Sequence, residues 1–135
     1  MSIMKSNILI VDDNEDHQVL MEEALKQFLD ETNVVFAGTG EECLLELSKE
    51  NYDAVIVDFN LSDMDGLEVL RSMSDKEYKT PSVMVTAFGD ENVAVEAMKL
   101  GAFDYIVKSD NYLKRLASIM IKVMQEPKLK KEKKK

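Results

Sequence analysis

The chain has 135 residues, 45% of them hydrophobic and 32% charged, which suits one globular domain and excludes both a two-domain enzyme and a wholly disordered chain. Net charge is −9, but Glu126 to Lys135 hold six lysines and two glutamates, so the first 125 residues carry −13. So acidic a body disfavours nucleic acid and anionic membrane as partners. No apolar run approaches the roughly 20 residues of a membrane span, and the N-terminal MSIMKSN lacks an apolar signal region. These features read as a cytoplasmic protein without membrane insertion. The single cysteine, Cys43, cannot form an internal disulfide and reads as a small buried hydrophobe of a helix. One Cys and one His give no zinc-ligand spacing.

Short β-rich runs alternate with longer stretches of helical period, the pattern of a parallel sheet with crossover helices. Asn7 to Val11 is the first strand, followed by Asp12-Asp13 and a helix from about Glu15 to Leu29. Val19, Leu20, Ala24, Leu25 and Phe28 mark the apolar face of that helix, and His17, one turn in, reads as an exposed surface residue. Asn33 to Ala37 is the second strand. Gly38-Thr39-Gly40 turns the chain into a helix from Glu41 to Lys49 carrying Leu44, Leu45 and Leu47. It lacks the longer glycine motif and the lysine of a phosphate loop.

Ala54 to Val57 is apolar at every position, as expected of a central parallel strand, and ends at Asp58. A third helix follows from about Gly66 to Met73. Pro81 opens the fourth strand, Ser82 to Val85, which ends at Thr86; the fourth helix, from about Glu91 to Leu100, stops at Gly101. The fifth strand, Phe103 to Val107, ends at Lys108. The last helix runs from Asn111 to Gln125, before Pro127. It places Leu113, Leu116, Met120 and Val123 on one face, with Ala117, Ile121 and Met124 beside it as core or docking surface. The lysine-rich tail, 126–135, is expected to be disordered and receives no function. Five such units suggest a flavodoxin-like, doubly wound five-stranded parallel sheet in the order 2-1-3-4-5, flanked by five helices. Its working site would lie outside the carboxyl ends of the strands.

At those ends stand Asp12 and Asp13, Asp58, Thr86 and Lys108. Clustered carboxylates repel one another unless a cation neutralises them, and oxygen ligands on a rigid rim suit Mg²⁺. A lysine and a hydroxyl on the same rim complement an incoming phosphoryl group. Strand-end acids can also be plain helix N-caps; that reading is preferred for Asn14 and Asp90.

The segments ILIVDDNEDH, DAVIVDFNLSDMDGLEVL, TPSVMVTAFGD and GAFDYIVKSD, in this order and spacing, make the chain resemble the receiver domain of two-component response regulators, over roughly Lys5 to Gln125. The resemblance implies that Asp58 accepts a phosphoryl group from a sensor histidine kinase or a phosphotransfer protein. It implies a Mg²⁺ site of Asp13, Asp58 and the Asn60 backbone carbonyl, with Asp12 in support. Thr86 matches the hydroxyl that swings toward the phosphoryl group, Lys108 the lysine that pairs with it, and Tyr105 the aromatic rotamer switch. The output would be a protein partner bound through the fourth helix, fifth strand and fifth helix, near Val93, Lys99, Tyr105 and Lys114, by a monomer or a phosphorylation-dependent dimer. No substrate turnover beyond self-dephosphorylation is implied.

Two departures from the family pattern concern loop shape: Ser109 follows Lys108, and Ser62 stands four residues after Asp58, where relatives commonly have proline. Phe88 is expected either to flank the path of an attacking water, as Asn60 does, or to point into solvent. Three rivals are weaker. An aspartate-nucleophile phosphatase would carry D-x-D on the first strand, where this chain has Asp12-Asp13. A flavodoxin-like electron carrier would need a Ser/Thr-rich phosphate loop there. A receiver-like module that is not phosphorylated would have no need of all the matched reactive positions.

Overall fold

The computed structural model describes residues 6–29 and 31–133, with side chains through Gln125. Five strands and five helices alternate: β1 (Ser6–Val11), α1 (Glu15–Phe28), β2 (Thr32–Ala37), α2 (Gly40–Lys49), β3 (Ala54–Asp58), α3 (Gly66–Asp75), β4 (Ser82–Thr86), α4 (Glu91–Lys99), β5 (Asp104–Val107) and α5 (Tyr112–Lys133). All pairs are parallel and the strand order is β2-β1-β3-β4-β5, as the alternation predicts. Among the described residues, no helix is long and apolar enough to cross a membrane.

The two-residue period of the strands sorts the core into two layers. Ile8, Ile10, Ile56, Val83, Val85 and Ile106 pack against Met21 and Leu25 of α1 and Leu116, Met120 and Val123 of α5. Leu9, Val11, Val55, Val57 and Met84 face the other way, onto Cys43 and Leu47 of α2, Val69 and Leu70 of α3 and Ala97 of α4. β3, between β1 and β4, is buried at all five positions. Cys43 is fully buried, and burial pushes its thiol up to about 12, so it is inert packing, as read from the sequence.

Three expectations are corrected. The buried face of α1 is Gln18, Met21, Ala24 and Leu25, while Val19, Leu20 and Phe28 are exposed. Gln18 displaces its apolar neighbour because its amide donates to the buried Asp12 carbonyl at 2.6 Å, which removes the cost of burying a polar group. On α2, Leu45 is exposed and Cys43 with Leu47 forms the inner stripe. The last helix does not stop at Gln125; its backbone stays helical through Pro127 to Lys133. Proline removes one ladder bond, and the lysines beyond it are good helix formers.

Candidate functional site

Register brings the site together. Val11 pairs with Val57, so the residues that follow, Asp12 and Asp58, are neighbours at the strand ends. Asp58 pairs with Val85, and Thr86 pairs with Val107, so Thr86 and then Lys108 step outward along the same rim. The turns that follow lock the acids in place. Asp12 Oδ1 accepts the Asn14 N–H at 2.9 Å, and Asp58 Oδ1 accepts the Asn60 N–H at 3.0 Å. Each carboxylate therefore keeps its second oxygen for the centre of the pocket.

Both second oxygens converge on one cation. Lys108 Nζ donates to Asp12 Oδ2 at 3.0 Å and to Asp58 Oδ2 at 3.3 Å. The side chains of Lys108, Asp12 and Asp58 are only 8%, 0% and 9% exposed, so these ion pairs act in a medium where unpaired charge is costly. Burial drives the Asp58 carboxyl above its usual range, against the Asn60 N–H and the Lys108 charge, and the Asp12 charge adds to the rise. Burial alone would lower the Lys108 ammonium, but its bond to Asp12 and the charges of Asp58 and Asp12 raise it. The acids share one lysine and remain short of positive charge.

The chain after each acid is fitted closely. Gly66 opens α3 directly beneath Asp58: a Cβ there would stand 2.9 Å from the Asp58 carbonyl oxygen and 3.0 Å from Phe59 Cα. Asp65 and Glu68 form a capping box on α3, which fixes where the loop 59–65 ends. At β4, Thr86 is buried, and its hydroxyl donates to the Phe88 carbonyl at 3.2 Å and accepts the Phe88 N–H at 3.4 Å. Tyr105 is half-buried, with its hydroxyl 3.3 Å from the Asp90 N–H, which it accepts, and 3.5 Å from the Asp90 carbonyl. The Ser109 N–H donates to the Val107 carbonyl at 2.7 Å, a bond that proline could not make.

Of the residues singled out from sequence, Asp12, Asp58 and Lys108 are in direct contact. Thr86 borders them with its hydroxyl turned to its own loop. Asp13 is exposed beside Asp12, and Asn60 is exposed, held to Asp58 by its backbone. Phe88 is 80% exposed. Asn14 and Asp90 are helix N-caps, as read. His17 corrects the reading of an uninvolved surface residue: its Nδ1 lies 2.8 Å from Lys108 Nζ and 3.7 Å from Asp12 Oδ2. An ammonium has no lone pair to offer, so Nδ1 is the acceptor. The Asn14 cap was readable from the sequence, but it turns His17 to the pocket only together with the buried Gln18, which no sequence pattern marked.

An open parallel sheet with an acid pair and a lysine on its carboxyl-end rim defines a doubly wound α/β protein with a charged site at its topological switch point. Residues 8–118 match the response regulator receiver domain, and the chain belongs to that family. The regulatory protein AtoC of Escherichia coli is 33% identical over 127 residues, covering 94% of this chain and 27% of AtoC. A CheY-like receiver domain protein of Methanospirillum hungatei superposes with a TM-score of 0.79 at 28% identity, covering 94% of this chain and 98% of that one. The Mn²⁺-bound form of response regulator Rcp1 has the same fold, with a TM-score of 0.78 at 21% identity over 90% of this chain and 96% of its own. The chain spans between 23% and 42% of the length of the curated relatives it matches.

Proposed function

We propose that this receiver domain takes a phosphoryl group from a histidine kinase or phosphotransfer protein onto Asp58, and that the modified domain alters its α4–β5–α5 surface toward a protein partner in the cytoplasm. The observation that carries this reading is the buried Asp58 carboxylate at the end of the central strand, with Oδ2 turned to Lys108 Nζ at 3.3 Å. Asp58 Oδ2 forms a bond to phosphorus as the donor's P–N bond breaks, and the donor imidazole leaves with the electron pair. Asn60 N–H holds Oδ1 during the attack, so the reacting oxygen is oriented before the donor arrives.

The donor set suits a divalent ion: the Asp12 and Asp58 oxygens already face a cation, the Lys108 ammonium, and Asp13 and Asn60, which follow them along the chain, are exposed. Mg²⁺ held by Asp13, Asp58 and the Asn60 carbonyl, with Asp12 through water, would spread charge over the phosphoryl oxygens. Lys108 then turns to a phosphoryl oxygen, a move of its flexible stem, and Thr86 exchanges its Phe88 bonds for another. Asp12 keeps the rim negative, so Lys108 stays close by whichever partner it takes.

The test is incubation with acetyl phosphate with and without Mg²⁺, followed by mass measurement of wild type and Asp58→Asn. One phosphoryl group should appear on wild type only with Mg²⁺, and none on the variant. Undiminished labelling of Asp58→Asn would sink the assignment.

A further inference from the structure

His17 is the chain's single histidine, and the fold turns it into the acid pocket rather than away from it. Asn14 caps α1 by accepting the His17 N–H at 3.1 Å, which fixes the third residue of the helix at the end of β1. One ligand-type atom each from Asp12, His17 and Asp58 lies within 4.8 Å of the others. A second observation shows what such a triad does: the Lys108 ammonium sits among all three, 3.0 Å from Asp12 Oδ2, 2.8 Å from His17 Nδ1 and 3.3 Å from Asp58 Oδ2. The pocket already holds a positive charge on two oxygens and one nitrogen.

A bare ion would draw the same donors closer than an ammonium does. Metal–ligand bonds of about 2.0–2.2 Å put neighbouring ligand atoms roughly 3–3.5 Å apart. His17 Nδ1 and Asp12 Oδ2 are 3.7 Å apart, and the His17 side chain is 38% exposed, so a small rotation of the ring closes the gap. The donor set also sorts ions by chemistry. Mg²⁺ is a hard ion that takes oxygen, whereas imidazole favours the later first-row divalent ions, whose affinity for such ligands rises toward the end of the series.

We propose that His17 is a third metal ligand, with Asp12 and Asp58, that makes this pocket prefer a divalent ion of the cobalt–nickel–zinc class over Mg²⁺, the ion displacing Lys108 from all three donors. The inference rests on Asp58 being a metal ligand, as in the proposed function, but takes Asp12 as a direct ligand rather than through water, and it does not rest on phosphoryl transfer.

Co²⁺ is the probe, because its visible absorption reports its ligand geometry, and tag-free protein leaves His17 as the only imidazole. Affinities for Co²⁺ and Mg²⁺ are measured by calorimetric titration on wild type and His17→Gln, with circular dichroism to confirm that the variant is folded. Wild type should bind Co²⁺ at least about tenfold more tightly than Mg²⁺. His17→Gln should lose most of that advantage and change the cobalt spectrum, while its Mg²⁺ affinity moves less than about twofold. Equal Co²⁺ affinity and an unchanged spectrum in His17→Gln, with normal Mg²⁺ binding, would overturn the role of His17 and leave the Mg²⁺ site standing. His17-dependent Co²⁺ binding without any Mg²⁺ binding would overturn the Mg²⁺ reading instead and uphold this one. Binding of neither ion by wild type would overturn both.

Discussion

Lys108 sets the charge balance of the rim, and its removal should be felt first in stability. Without it, two carboxylates that are 0% and 9% exposed face each other with no cation, and breaking a buried pair in this way costs on the order of 3 kcal/mol. The ammonium also competes with any incoming ion for the Asp12 and Asp58 oxygens. Lys108→Ala should therefore melt below wild type in metal-free buffer and gain more from added Mg²⁺ than wild type does. Thermal denaturation with and without Mg²⁺ reads both effects; equal Mg²⁺ shifts in the two proteins would show that Lys108 does not occupy the ion's place. Asp12, Asp58 and Lys108 were legible in the sequence because each is the polar residue that ends an apolar run, and a parallel sheet sends all such ends to one rim. His17 was not, because its position depends on the rotation of α1, which the Asn14 cap and the buried Gln18 set between them.

Among the elements, α2 and the loop after Asp58 are joined by a carboxylate. Asp63 accepts the Gly40 N–H at 2.9 Å and the Glu41 N–H at 3.0 Å, while Thr39 accepts the Glu42 N–H at 3.0 Å. The first three N–H groups of α2 are thus satisfied, two of them from across the fold. Met64 closes the joint, since a Cβ on Gly40 would stand 2.5 Å from its Cγ. Ser62 lacks the ring that would stiffen this loop, and the Asp63 anchor holds it instead. Burial is the largest single influence on the Asp63 carboxyl and raises it, but the backbone N–H groups of Gly40, Glu41, Asp63 and Met64 together prevail and hold it below the usual range. A depressed carboxylate stabilises the fold above its unfolded pKa, about 3.9, and loses that contribution as pH falls through the folded value. Asp63→Asn should accordingly be less stable than wild type at neutral pH, with the difference shrinking in acid. Denaturant titrations at pH 7 and pH 3 measure it, and a constant difference would assign the anchor to something other than charge. Strand positions were readable here because apolar runs admit few registers. The inner face of α1 was not, because apolar residues at 19, 20, 24, 25 and 28 outline a plausible stripe, and only the tertiary bond of Gln18 to Asp12 selects the other one.

Across the whole molecule, the short loop from Ala87 to Asp90 is clasped at both ends. Thr86 Oγ1 holds the Phe88 backbone at one end; Tyr105, on β5, holds the Asp90 backbone at the other through bonds of 3.3 and 3.5 Å. Those last two contacts are long, near the limit for a hydrogen bond, so the Tyr105 ring is held lightly. A hydroxyl has one proton to donate: if Thr86 donates to a phosphoryl oxygen, it releases the Phe88 carbonyl, and the loop that caps α4 through Asp90 is free to rearrange. Among the described residues, the hydrogen bonds that tie α1 to the site are those of His17 and Gln18. Beryllofluoride, a mimic of the phosphoryl group, should shift amide NMR signals at Asp58 and Lys108, then at Phe88 and Asp90, and onward at Tyr105 and along α4. In Thr86→Ala the shifts near Asp58 should persist while those at Tyr105 and α4 fall away, because the mimic then gains nothing from one loop arrangement over the other. Shifts of wild-type size at Tyr105 in that variant would mean that the signal leaves the site by another route, and the clasped loop would be a bystander.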